Sequence, residues 1–173
     1  MHDLAARLAR GEEAAFTELY DACADRLHHY LTGRLGSRDA ASDVLQTAFL
    51  RAVKSRRRFR GVANPLAYMF QVARNEASRV GRRRGRVNEE LLSTEELFAA
   101  GDEQHEQIED AEAVALALAR LEPDDREILE LKVYGDLTFR EIAEVVGRPQ
   151  ATVATRYRRA LESLRCWLTK QFR

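Results

Sequence analysis

The amino-acid sequence predicts an all-α protein of two helical domains joined by an acidic linker. Three observations carry that expectation. Apolar residues recur at helical spacing in several long runs, and no stretch makes a convincing strand of alternating polarity. Two such clusters of helices flank a stretch without cations. The charge follows the same partition: residues 1–88 hold 17 Lys/Arg and 9 Asp/Glu, residues 89–119 hold no Lys/Arg and 10 Asp/Glu, and residues 120–173 hold 11 and 9. The formal net charge of zero therefore conceals two basic modules and an acidic connector. The expected boundaries are 1–88 for the first domain, 89–110 for the linker and 111–173 for the second domain.

In the first domain, a long helix from about Glu12 to Leu31 carries Phe16, Leu19, Tyr20, Cys23, Leu27, Tyr30 and Leu31 on one face, with Gly33 and Gly36 ending it. A second stripe runs from Asp39 to Lys54 through Ala41, Val44, Leu45, Ala48, Phe49, Ala52 and Val53. After a basic loop, Pro65 opens a third helix whose stripe is Leu66, Met69, Val72, Ala73, Ala77 and Val80. Three stripes of this length close a small bundle. Arg82, Arg83, Arg84 and Arg86 end it. In the linker, Ser93 to Glu96 has capping-box spacing and could start one short helix.

The second domain reads as a helix-turn-helix. Pro123 breaks an Ala/Leu-rich helix, and Asp124 to Tyr134 leads into Thr138-Phe139-Arg140-Glu141, a capping box. Ile142, Val145 and Val146 give the next short helix its apolar face. Gly147 supplies the turn, and Pro149 suits the start of a last helix. There Val153, Tyr157, Ala160, Leu161, Leu164 and Leu168 recur as a buried stripe. Gln150, Thr152, Thr155, Arg156, Arg158 and Arg159 are left facing outward, with Arg148 just ahead of them. A basic helix of this kind fits the DNA major groove, mixing base-edge readers with phosphate binders.

The loop Arg56–Asn64 and the helix after it form a second constellation. Arg56, Arg57, Arg58 and Arg60 surround Phe59, and Tyr68, Arg74, Asn75, Arg79 and Arg82 follow. Arginines can track phosphate, aromatics can stack on bases and amides can reach base edges, as on a single-strand-binding surface. Taken singly, Phe59 and Tyr68 read as core aromatics; the arginine cluster reads as a polyanion site. The helix 39–54 presents Asp43, Gln46, Thr47, Leu50 and Arg51 opposite its stripe; an exposed leucine among polar groups can be a docking patch, though taken alone the set reads as a solvated face.

Other classes fare poorly. No apolar run approaches the roughly 20 residues that span a bilayer, so no membrane insertion is expected. The amphipathic N-terminus lacks the apolar stretch and cleavage site of a secretory signal. Cys23 and Cys166 have no metal-like spacing and fit a reduced, cytoplasmic protein. There is no Gly-rich phosphate loop, nucleophile elbow or H-E-x-x-H pattern. No catalytic residue, metal or cofactor is expected, and the chain does not read as an enzyme.

As a set, AAFTELYDACADRLHHYL, DAASDVLQTAFLRAVKSRRRF and NPLAYMFQVARNEASRVGRRR resemble region 2 of the extracytoplasmic-function (group 4, sigma-70 family) sigma factors of bacterial RNA polymerase. LEPDDREILELKVYGDLTFREIAEVVGRPQATVATRYRRALESLR resembles their region 4. The resemblance implies a sigma factor that directs promoter-specific initiation. Its partners would be core RNA polymerase, through the β′ clamp helices and β flap, promoter DNA and an anti-sigma factor. Asp43, Gln46, Phe49, Leu50 and Arg51 would dock on the clamp helices. Arg56, Arg57, Arg58, Phe59, Arg60, Asn64, Tyr68, Arg74, Asn75, Arg79, Arg82 and Arg83 would hold melted −10 DNA. Arg148, Gln150, Thr152, Thr155, Arg156, Arg158 and Arg159 would read the −35 duplex. The chain departs from the family pattern at Thr47, Tyr68, Pro149, Ala151 and Ala154. The rivals are a transcription factor that works without core polymerase, which would need a sensory domain upstream, and a helical adaptor, which leaves both basic surfaces unexplained.

Overall fold

The structure, a computed structural model, describes residues 2–84, 114 and 116–171; the linker 89–110 and its capping-box spacing lie outside them. Every regular element among the described residues is helical. The chain begins with α1 (His2–Arg10), α2 (Glu13–Leu35) and α3 (Arg38–Lys54). A 3-10 turn (Arg56–Phe59) follows, and then α4 (Pro65–Arg84). After a helical stretch at 116–119 come α5 (Pro123–Val133), α6 (Phe139–Val146) and α7 (Gln150–Gln171).

Helix α1 answers to the amphipathic N-terminus. Leu8 is fully buried, with Ala5 and Ala9 beside it, and the helix packs on the 3-10 turn. Gly11, at φ 84°, reverses the chain into α2. Helix α2 runs one turn further than the spacing predicts. Gly36, not Gly33, ends it, in the left-handed conformation (φ 66°) with its N–H on Thr32 O at 2.9 Å. Ser37 then caps α3 by accepting the Ala40 N–H at 3.3 Å. The buried stripes of α2, α3 and α4 meet around Leu19, Leu27, Tyr30, Leu31, Ala48, Phe59, Met69 and Phe70. Tyr20 and Val53, expected within those stripes, are 48% and 43% exposed.

In the second half, Pro123 takes the first turn of α5, where a missing N–H costs nothing. The capping box of α6 is present in full: Thr138 Oγ1 accepts the Glu141 N–H, and Glu141 accepts the Thr138 N–H at 2.8 Å. Gly147 closes α6 at φ 68°. Pro149 stands one residue ahead of α7, and its carbonyl accepts the Val153 N–H. Val153 and Ala160 anchor α7; Leu161, expected in the stripe, is 43% exposed.

The two halves share one apolar core: Ile128, Leu131, Leu137, Ile142 and Val145 join the cluster of the first bundle. Arg26 of α2 reaches across to cap the end of α5, donating to Tyr134 O at 2.8 Å and Gly135 O at 2.7 Å. Gly33 lies where α2 passes α5. A Cβ there would stand 2.8 Å from a Glu130 carboxylate oxygen, so an alanine would oblige the end of that side chain to shift.

Candidate nucleic-acid interface

The 3-10 turn lifts Arg56, Arg57 and Arg58 into solvent while turning Phe59 inward. Phe59 is fully buried, edge-on to Phe16 at 6.1 Å and to Tyr68 at 5.0 Å. This corrects its expected place among outward-facing, base-contacting residues: in this arrangement the ring is sealed in the core and supports the turn. Arg60 is exposed beside it.

Helix α4 brings the remaining cationic and amide groups together. Arg58, Tyr68, Arg74, Asn75, Arg79 and Arg82 line one cleft of about 570 Å³, with Ser55 and Ser78 on its wall. Tyr68 and the Arg74-Asn75 pair share this cleft although they lie about two turns apart. Arg83 falls in the last turn of α4. The cleft also contains a carboxylate absent from the sequence expectation: Glu76, 5% exposed, binds Arg51 at 2.7 Å and Arg79 at 3.2 Å. Arg51, expected on the docking face, therefore points its guanidinium to this cleft.

The face of α3 expected to dock lines an apolar-floored groove of about 680 Å³ between α2 and α3. Asp43, Gln46, Phe49 and Leu50 line it together with Tyr20 and His28. Leu50 is 55% exposed, and Phe49 packs on Tyr20 with ring centroids 4.9 Å apart. A large exposed leucine on such a floor is a site that a partner helix can cover.

On α7, Gln150, Thr155 and Arg158 are exposed and Thr152 is half-buried. The other arginines are not free. Arg159 forks onto Asp125 through Nε at 2.6 Å and Nη2 at 2.7 Å, and Arg156 donates to the same carboxylate at 2.9 Å. Arg156 and Arg148 also approach Asp124, at 3.3 and 3.5 Å. The Arg159 fork, aided by Arg156, holds the Asp125 carboxyl below the usual range against the opposing effect of burial.

The second half also covers part of the first. Glu127 of α5, nearly buried, accepts from Arg34 at 2.6 Å, from Arg74 at 2.8 and 3.2 Å, and from the buried Tyr30 hydroxyl at 2.9 Å. Asn64 caps α4 with its carbonyl oxygen and spends its amide on Glu141 at 2.6 Å. Gln71 reaches Glu144 O at 3.4 Å. Two expected DNA contacts, Asn64 and Arg74, are thus held by carboxylates from the other half. Charge patterning along one helix does not reveal these pairs, because the partners lie 53 and 77 residues apart in the chain.

A helical bundle with a basic cleft, packed against a capped helix-turn-helix, defines a protein built from the two modules of the sigma-70 proteins. The family model for Sigma-70 region 2 matches residues 19–87, and that for Sigma-70, region 4, matches residues 111–164. The ECF RNA polymerase sigma factor RpoE of Cereibacter sphaeroides is 32% identical over 167 residues, covering 89% of this chain and 86% of that protein. SigW of Bacillus subtilis, another ECF sigma factor, is 27% identical, covering 92% and 91%. The chain belongs to the ECF RNA polymerase sigma factors, which direct transcription initiation and regulate transcription without being enzymes. In fold it is similar to a sigma factor RpoE from Bartonella quintana solved with the anti-sigma factor NepR (TM-score 0.76, 23% identity, 89% of this chain and 96% of that one). It is also similar to CnrH solved with the cytosolic domain of CnrY (TM-score 0.73, 22% identity, 98% and 97%). Among the described residues, no helix is long and apolar enough to cross a membrane.

Proposed function

We propose that this chain divides promoter recognition between its halves, with residues 1–88 and 111–173 as the working modules and 89–110 as the connector. The groove of Asp43, Gln46, Phe49 and Leu50 anchors on the β′ clamp helices of core RNA polymerase. The cleft of α4 holds unpaired −10 bases, with Arg58, Arg79 and Arg82 on phosphate and Tyr68 and Asn75 on bases. Helix α7 enters the −35 major groove with Gln150, Thr152, Thr155 and Arg158, with Arg156 and Arg159 held beside them by Asp125 and Arg148 at its entrance. Its second polymerase contact is the β flap. An anti-sigma factor is a further partner, and the site of action is the cytoplasm.

The observation that carries this reading is the single cleft that gathers Arg58, Tyr68, Arg74, Asn75, Arg79 and Arg82 from two elements. Because Glu127 and Glu141 hold Arg74 and Asn64 in the packed arrangement, loading on polymerase must part the halves before the cleft can take DNA. The test is promoter-directed transcription from a genomic fragment library by core polymerase with the purified chain. Stable association with core and discrete transcripts are expected; the absence of both core association and transcript refutes the reading.

A further inference from the structure

We infer that Asp125, on α5, is a positioning residue for −35 recognition: it fixes the two arginines of α7 that would otherwise bind duplex as loose charge. The inference rests on the reading of α7 as the −35 helix and adds to it a residue that itself stays off the DNA. Asp125 is 3% exposed and sits at the start of α5. Both its oxygens are used. Oδ2 accepts Arg159 Nε, and Oδ1 accepts Arg159 Nη2 and Arg156 Nη1. A bidentate fork fixes the plane of a guanidinium as well as its position. Arg156 and Arg159 are one turn apart on α7, so one carboxylate orders a short row of cations along the helix.

The geometry has two physical consequences. First, the rotamer entropy of two long side chains is lost on folding and not on DNA binding. A preordered row then discriminates between duplexes by fit. Second, the carboxylate cancels one of the two charges, and Asp124 at 3.3 Å from Arg156 trims the field further. The helix therefore gains less from phosphate in general, and the nonspecific share of its affinity shrinks. Arg158, exposed and outside every ion pair among the described residues, is left as the ordinary phosphate contact.

The test uses the full chain loaded on core RNA polymerase. The probe is the duplex that the wild-type chain selects from a randomised library, set against a scrambled duplex of the same composition. Asp125→Asn keeps the shape and removes the charge. It is expected to lower selected-over-scrambled discrimination about 10-fold, within the range carried by one bidentate contact. It is also expected to steepen the slope of log K against log salt by about one unit, for one added uncompensated cation. A merely structural role would not steepen that slope. Arg159→Lys, which keeps the charge and loses the fork, serves if Asp125→Asn does not fold; it should lose discrimination with the slope unchanged. Wild-type discrimination and slope in a folded Asp125→Asn, or wild-type discrimination in Arg159→Lys, overturns the inference. Failure of the wild type to select any duplex refutes the −35 reading itself.

Discussion

Replacing Glu127 by glutamine should unlock the two halves. In the packed arrangement its carboxylate, 7% exposed, faces the guanidinium groups of Arg34 and Arg74, which are 27% and 26% exposed. Hydrogen bonds to charged groups contribute about 1.5–3 kcal/mol each, against about 1 kcal/mol for neutral ones. Glutamine keeps an acceptor but no charge, so each arginine loses about 1 kcal/mol. Both remain close enough to repel one another once the anion is gone. When the halves part, both arginines regain water, and only the packed state bears the loss. The net shift is about 2 kcal/mol toward the parted state, or about 30-fold in the equilibrium at 1.4 kcal/mol per decade. The chain offers a labelling route. Cys166 is exposed, whereas Cys23 is buried, with its thiol pushed up to about 12 by burial. One dye on Cys166 and a second on Lys54→Cys would report the separation by energy transfer. Glu127→Gln should lower transfer in the free chain, and raised salt should do the same to the wild type. Unchanged transfer in Glu127→Gln at every salt concentration refutes the idea that this carboxylate holds the halves together.

The remaining expectations concern stability. Thr138→Ala removes the cap of α6 and should cost about 1 kcal/mol in denaturant melts, with Thr138→Ser restoring most of it. Phe59→Ala should cost about 3–5 kcal/mol as a core cavity, while Arg57→Ala, on the same turn but exposed, should leave the melting temperature within error. Asp125 and Glu141 are both held below their usual pKa values. For Asp125 the Arg159 fork is the leading cause; for Glu141 burial opposes the shift, and the Asn64 amide and Thr138 overcome it. Groups depressed in the fold stabilise it above their unfolded values, and that stability is lost as the pH falls through the folded ones. Thermal melts should therefore weaken below about pH 4, and Asp125→Asn should flatten that acid limb.

What the sequence made legible was chemistry local to a few residues. Thr138, Glu141 and Gly147 do what their spacing announced, because a cap and a left-handed glycine need no distant partner. The helix type of the long stripes was equally plain from periodicity, although Tyr20, Val53 and Leu161 show that a stripe overstates burial at its edges. Gly33 and Gly36 together suggest where α2 ends, but only Gly36 ends it; Gly33 lies inside the helix against Glu130, on a helix nearly a hundred residues away, a neighbour that no local rule contains. Helical spacing turns Arg51, Arg156 and Arg159 outward as free cations, but their carboxylate partners lie on other helices, so spacing shows which surfaces are basic and not which arginines are free. Phe59 shows the opposite case: surrounded by arginines in sequence it suggests a stacking platform, yet its residue type already favoured the interior.

The single tryptophan gives the molecule an optical handle. Trp167 lies near the end of α7, half-buried, with the Arg120 guanidinium 4.3 Å from its ring centroid. Arg120 stands just before α5. The indole emission of Trp167 therefore senses the contact between the end of α7 and the segment that enters α5, apart from the Glu127 contact between the halves. Dye-based distance and intrinsic emission would then register two separate events, one the parting of the halves and the other a change inside the second half, where Arg120 meets α7.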